Sequence, residues 1–318
     1  MRVLVTGGTG FLGRHLVTQL RSAGHEVRVL ARGEGATHRG SVTDSDALRA
    51  AMEGCAVVHH LAGRVDRDRS ALPALRALHV DGTRAVIDAA VEAGVHRVVY
   101  ASTSGTIAVT RDVRALPDET WPYPHSLVAT WPYYATKIEA EQVALAHAAE
   151  RGVDLVCLNP SLLLGPGDTG GSSTTDVADL VRGRVPAVPS GTINFVDVRD
   201  VAAAFVAAAE RGVPGERYLL GSANWTLRRF ADEVCQLSGT RAPRLSAPDA
   251  PSRWAARLTA PVFRALGRAP ALHPVTVEMA QHSWTFRSDK ARDALGFQPR
   301  GPVVTLRDTI ADLRSRAS

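Results

Sequence analysis

Apolar residues in the first half of the chain switch repeatedly between a strand-like and a helix-like period. A β-branched run at 3–5 leads into a glycine-rich turn, after which apolar positions recur at helical spacing over 11–22 and stop at Gly24. The unit then repeats, with a strand over 27–30 and Thr43, three residues before Asp46, as the cap of a helix running through Glu53 to Gly54. Further strands are predicted over 56–60, 97–100 and 155–158, and helices over 72–93, ended by Gly94, and 133–151, ended by Gly152. Strands alternating with helices imply an α/β fold, a doubly wound parallel sheet covered on both faces. Beyond Pro160 the chain turns to Gly, Ser, Thr and Pro, apart from an alanine-rich helix after Asp197. Residues 1–160 are therefore expected to form a nucleotide-binding domain to which 195–215 returns. Residues 161–318 are expected to form a smaller, discontinuous substrate-binding domain over the carboxyl edge of the sheet. There Arg253, Arg257, Arg264 and Arg268 fall on one helical face, opposite Trp254, Leu258, Val262 and Leu266. That amphipathic stretch is expected to pack on the protein or line its cleft, with a membrane-surface helix as the alternative.

Composition narrows the class. With 22% charged residues and no apolar run near the ~20 residues that span a bilayer, stable membrane insertion is not expected. No signal peptide is expected ahead of the first strand. Three widely spaced cysteines, Cys55, Cys157 and Cys235, suit buried reduced thiols in a cytoplasm rather than a disulfide framework or a metal site. The net charge of +5 is spread without a Lys/Arg block, which points to an anionic small molecule and away from nucleic acid. Of the 37 basic residues only Lys137 and Lys290 are lysine, so each of those positions is a candidate for chemistry.

The first turn, Thr6-Gly7-Gly8-Thr9-Gly10-Phe11-Leu12-Gly13, lies between a strand and a helix. Glycines there let the backbone approach a pyrophosphate, and the free N–H groups of the helix start face its charge. A dinucleotide fold usually places a carboxylate at the end of its second strand for the ribose 2′-hydroxyl. This chain has Ala31-Arg32 instead. A guanidinium there suits a 2′-phosphate, so NADP(H) is expected, with NAD(H) as the alternative. Tyr133 and Lys137 lie four apart at the start of a predicted helix, on one face. With five tyrosines and two lysines, such a pair would arise by chance on the order of 0.03 times. A tyrosine hydroxyl becomes a usable acid/base at neutral pH when an adjacent ammonium stabilises its phenolate.

Together with these motifs, His60-Leu61-Ala62-Gly63, Gly82-Thr83, Ala101-Ser102-Thr103, Pro160-Ser161, Gly165-Pro166-Gly167, Val198-Arg199-Asp200-Val201 and Leu295-Gly296-Phe297 occur in order along nearly the whole chain. In this the sequence resembles the extended short-chain dehydrogenase/reductase family. The resemblance implies a Rossmann domain with a small carboxyl-terminal domain and a Ser/Thr–Tyr–Lys site. Tyr133 would be the general acid/base, Lys137 would lower its pKa and hold the nicotinamide ribose, and Thr103 would orient the substrate oxygen. It also implies cofactor contacts at Gly7, Gly10, Phe11, Leu12, Gly13, Arg32, Ser41, Val42, Leu61, Ala62, Gly63, Pro160 and Leu163 and a small carbonyl or alcohol substrate; the sequence leaves the oligomeric state open, a homodimer being one possibility. His79 stands where members often have asparagine, and is expected to be a structural hydrogen-bonding residue.

Two departures bear on the substrate. Nucleotide-sugar members typically present asparagine at Leu162 and arginine at Ile193, so both diphosphate anchors are missing. The aromatic segment from Trp121 to Trp131 suits either a substrate wall or loop packing. The pattern is similar to dihydroflavonol reductases, 3β-hydroxysteroid dehydrogenases and hopanoid-associated epimerases. NADPH-dependent reduction of an apolar ketone or aldehyde is the expected activity, with sugar epimerisation or dehydration as the alternative and a non-catalytic NADP(H) sensor as a third.

Overall fold

The computed structural model describes residues 1–171, 173–247 and 274–316; the arginine-rich stretch 253–268 lies outside the described residues. The first six strands are β1 (Arg2–Thr6), β2 (Glu26–Ala31), β3 (His38–Arg39), β4 (Val57–His60), β5 (Arg97–Ala101) and β6 (Asp154–Pro160). After them come β7 (Leu162–Leu164), β8 (Ala187–Val188), β9 (Thr192–Asp197), β10 (Arg217–Leu220), β11 (Ala223–Thr226) and β12 (Leu245–Ser246). Seven of them form one sheet in the order β10-β6-β5-β4-β1-β2-β3, and every pairing in it is parallel. A smaller sheet, β11-β9-β7, and the pair β12-β8 belong to the second half of the chain. β1 lies between β2 and β4, so the connections leave it in opposite directions. The crevice this opens at the carboxyl ends of β1 and β4 is where such sheets hold ligands.

Helices α1 (Phe11–Ser22), α2 (Ser45–Met52), α3 (Leu72–Arg76), α4 (Gly82–Glu92), α5 (His125–Val128) and α6 (Pro132–Arg151) follow in the first half. α7 (Thr175–Val181), α8 (Val198–Arg211), α9 (Leu227–Ser238) and three further helices, Pro274–Met279, Asp289–Leu295 and Pro302–Ser315, complete the set among the described residues. Strand alternation divides the core. Val3 and Val5 pack with Leu16, Leu20, Val201 and Phe205 on one face of the sheet. Leu4, Val58 and Val98 pack with Met52, Val86 and Ala144 on the other. A third core, around Leu164, Phe195, Trp225 and Phe230, holds the small sheet.

Three local details differ from the periodicity. The cap of α2 is Asp44, whose carboxylate accepts from the backbone N–H groups of Asp46 and Ala47 at 3.1 Å; the Thr43 hydroxyl is engaged with Ser41 at 2.9 Å. A doubly accepting carboxylate outcompetes a hydroxyl there. The helix expected over 72–93 is divided by a π turn, Ala77–Asp81, which carries His79. β3, two residues long, was too short to carry a period. The three cysteines are free and buried.

The Val198-Arg199-Asp200-Val201 motif is a joint. Asp197 caps α8 by accepting from Arg199 N at 2.9 Å, and Arg199 bridges Asp197 and Asp308. Asp200 accepts from Arg300 Nη2 at 2.7 Å, Nε at 3.0 Å and backbone N at 2.7 Å, which ties α8 to the carboxyl-terminal segment. Asp200→Ala strands Arg300 and should lower the unfolding free energy by about 2 kcal/mol. Urea denaturation should show this as a lower midpoint at unchanged slope.

Candidate active site

The glycine turn is shaped by contact. Gly7 has φ +70°, and a Cβ on it would lie 2.9 Å from the Ala62 nitrogen; a Cβ on Gly13 would lie 2.3 Å from the Gly7 carbonyl oxygen. Only glycine permits both approaches. Gly10 is the N-cap of α1 and offers no side chain, so the first-turn N–H groups of Phe11, Leu12 and Gly13 face the crevice without an intrahelical partner. This cradle of backbone donors, kept clear of Cβ atoms, fits a pyrophosphate.

Across the crevice, Leu61 N donates to the Thr6 carbonyl at 3.1 Å and Ala62 N to Thr6 Oγ1 at 3.2 Å, strapping the end of β4 to the end of β1. Beneath them His60 bridges Thr6 Oγ1 (2.7 Å) and Thr83 Oγ1 (3.1 Å). The Thr83 hydroxyl donates to the His79 carbonyl at 2.5 Å, so it accepts from His60 Nε2–H, and Nδ1 accepts from Thr6. His79 accepts from Arg64 N at Nε2 (3.2 Å), so its Nδ1–H donates to Thr136 Oγ1 (2.9 Å). Burial lowers both histidines to a pKa of about 3, and each stays neutral as its bonds require.

Of the three consecutive hydroxyls after β5, Ser102 is buried and donates to Glu141 Oε2, Ser104 is buried, and Thr103 is half-buried. The Thr103 carbonyl accepts from Thr106 N (3.1 Å) and Asn159 Nδ2 (3.3 Å). Glu141, with no exposed surface, also accepts from Thr106 (2.8 Å) and Asn159 (2.7 Å) and pairs with Arg217 at 3.3 Å. Tyr133, at the start of α6, packs its ring edge-on to His79 at 5.7 Å. Burial pushes its hydroxyl up to a pKa of about 12, opposed by a hydrogen bond with Thr103. The Lys137 ammonium bends toward β5, donating to the Tyr100 hydroxyl at 3.0 Å and the Ala101 carbonyl at 2.7 Å, so the expected lowering of the Tyr133 pKa by this lysine is not found. Lys290, the other lysine, pairs with Glu216 beside the Tyr218 ring.

The remaining candidates divide. Pro160 ends β6 at the same sheet edge, and half-buried Leu163 pairs with Val196. Arg32 is exposed at the tip of β2, and Ser41 faces Thr43. Val42 is a core side chain, so only its backbone can serve a ligand. Leu162 and Ile193 are half-buried against the Phe195–Trp225 core. In the aromatic segment, Trp131 is buried, stacked on Trp284 at 5.9 Å and edge-on to His282 at 5.2 Å. Tyr123 lies under the Arg217 guanidinium at 4.8 Å, and Trp121 is exposed. Val65, Arg67, Tyr134, Val275 and Met279 line a depression with Trp131 and Tyr133.

Sequence reasoning missed Tyr100, Glu141 and Asn159. Glu141 had a visible signal, since it follows Lys137 by one helical turn on the face that buries Ala144 and Ala148. A carboxylate on an apolar face needs buried partners.

Residues 3–221 match the model of the NAD dependent epimerase/dehydratase family. A putative dihydroflavonol 4-reductase of Synechocystis is 32% identical, over 97% of this chain and 92% of that protein. A 4-hydroxy-2-methyl-3-oxo-4-farnesyl-3,4-dihydroquinoline-1-oxide ketoreductase of Stigmatella aurantiaca is 33% identical, over 94% and 92%. The crystal structure of gox2253 superposes with a TM-score of 0.85 at 31% identity, covering 99% of this chain and 98% of that one. The chain belongs to the NAD dependent epimerase/dehydratase family, the extended short-chain dehydrogenases/reductases, and is an NAD(P)-dependent oxidoreductase.

Proposed function

We propose that this protein reduces the carbonyl of a small, largely apolar molecule with NADPH, using Thr103, Tyr133 and Lys137. The observation that carries this reading is the placement of half-buried Thr103, at the end of β5, and of Tyr133, at the start of α6, on the side of the sheet where the glycine cradle opens. A nicotinamide cofactor supplies the hydride. Tyr133 holds the proton that the new alkoxide needs, and its raised pKa keeps that proton in place throughout the neutral range. Thr103 fixes the carbonyl oxygen within reach of the tyrosine. Lys137, with two of its three N–H donors held by Tyr100 and Ala101, offers the third to the cofactor ribose.

Arg32 supports NADP(H). Register pairs Ala31 with Arg39, so a second arginine stands beside the tip of β2, and both are exposed. Two guanidiniums suit a 2′-phosphate, which carries more charge than one cation offsets. The depression beside Tyr133 supports an apolar substrate, because Val65, Trp131, Tyr134, Val275 and Met279 form most of its lining. The relatives named as reductases and ketoreductases agree with reduction.

Tyr133→Phe should reduce turnover at least about a thousandfold while NADPH affinity stays within about twofold, since only the transferable proton is removed. Stopped-flow turnover and fluorescence titration with NADPH check this, and retained turnover removes the mechanism.

Arg32→Asp should weaken NADPH at least about tenfold more than NADH, as expected for loss of a charge-assisted phosphate contact. Calorimetric titration of both cofactors measures the ratio, and an unchanged ratio removes the NADP(H) assignment.

UDP- and dTDP-sugars should produce no thermal stabilisation, whereas aromatic or alicyclic ketones should stabilise the NADP-bound protein and consume NADPH. Epimerisation of a nucleotide sugar without net cofactor turnover would establish the alternative instead.

A further inference from the structure

Lys137 is held by a side chain that no motif singled out. Its Nζ donates to the Tyr100 hydroxyl at 3.0 Å and also lies 4.6 Å from the Tyr100 ring centroid. Both residues are buried. The Tyr100 ring stacks on His60 at 5.5 Å, which holds the ring in place, and its hydroxyl oxygen accepts from the ammonium.

We infer that Tyr100 is a positioning residue of the active site, whose ring is held by stacking on His60 and whose hydroxyl fixes Lys137 as an ammonium with its third N–H directed to the cofactor ribose. The inference rests on the reading of Lys137 as the lysine of the site. Phenylalanine in place of Tyr100 would keep the ring on His60 and the cation over its face, but would remove the one neutral side-chain acceptor that Lys137 uses.

The other groups around Lys137 set the background. Burial lowers it to a pKa of about 8, while Glu141 on its own helix and Cys157 on β6 act in the opposite sense. His60 and His79 are neutral in the working range, and Tyr133 keeps its proton. An acceptor on the ammonium favours the charged form, so removing it moves the lysine pKa further down.

Two lysines in the whole chain make this directly measurable. Protein labelled with carbon-13 at lysine Cε gives two side-chain signals, assigned with Lys290→Arg. In Tyr100→Phe the Lys137 signal should titrate about one pH unit lower than in wild type, and NADPH affinity at pH 8 should fall about three- to tenfold. A purely structural role would change thermal stability without moving the Lys137 titration. An unmoved titration in Tyr100→Phe, with Lys137→Ala still impaired in NADPH binding, overturns the role of Tyr100 alone. Lys137→Ala that binds NADPH as tightly as wild type overturns the reading of the site, and the proposal with it.

Discussion

A carboxylate sealed from water lies among the hydroxyls that follow β5, and the arrangement of the candidate site depends on satisfying it. Glu141 has no exposed surface, and an unpaired charge in that position would cost several kcal/mol. Its four partners come from three places: Ser102 and Thr106 beyond β5, Asn159 on β6, and Arg217 on β10. Glu141 itself rides on α6, the helix that carries Tyr133 and Lys137. One buried charge therefore locks the helix of the tyrosine to the strand ends that present Thr103. It also explains why three hydroxyls in succession are not interchangeable, because the Ser102 hydroxyl is consumed by the carboxylate and Thr103 is left half-exposed.

The opposite wall of the crevice is built from neutral hydrogen bonds. His60, Thr6, Thr83 and His79 form a chain in which each proton position follows from its neighbour, and burial keeps both imidazoles uncharged. A fixed neutral network next to a buried ammonium avoids charge repulsion while still offering oriented dipoles. The π turn has a physical role in this, since it carries His79, whose ring reaches Thr136 and supports the Tyr133 ring.

The large sheet is held by a core on each face and the small sheet by a third core of its own. Leu162 and Ile193 pack on the small sheet's core and so serve stability there. The aromatic residues Trp131, Tyr134 and Trp284 gather beside Tyr133 although Trp284 is distant in sequence. Part of the aromatic segment is thus packing, as with Tyr123 under Arg217, while Trp131 borders the depression beside Tyr133.

The sequence by itself determined the elements and the chemistry-bearing pairs. Alternating periods mark the strands and helices because a half-buried strand and an amphipathic helix impose them locally. The glycine turn is legible because no other residue fits a +70° φ pressed against Ala62, and Tyr133 with Lys137 is legible because a helical turn brings them together. Spacing predicted the lysine as partner of Tyr133; only the tertiary structure shows its ammonium bonded to Tyr100 and Ala101, on a strand that neighbours it in space and not in sequence. The same holds for Asn159, Arg217 and the cap at Asp44. Which acceptor a buried donor reaches depends on the packing of elements far apart along the chain, and on competition among nearby groups that local pattern leaves undecided.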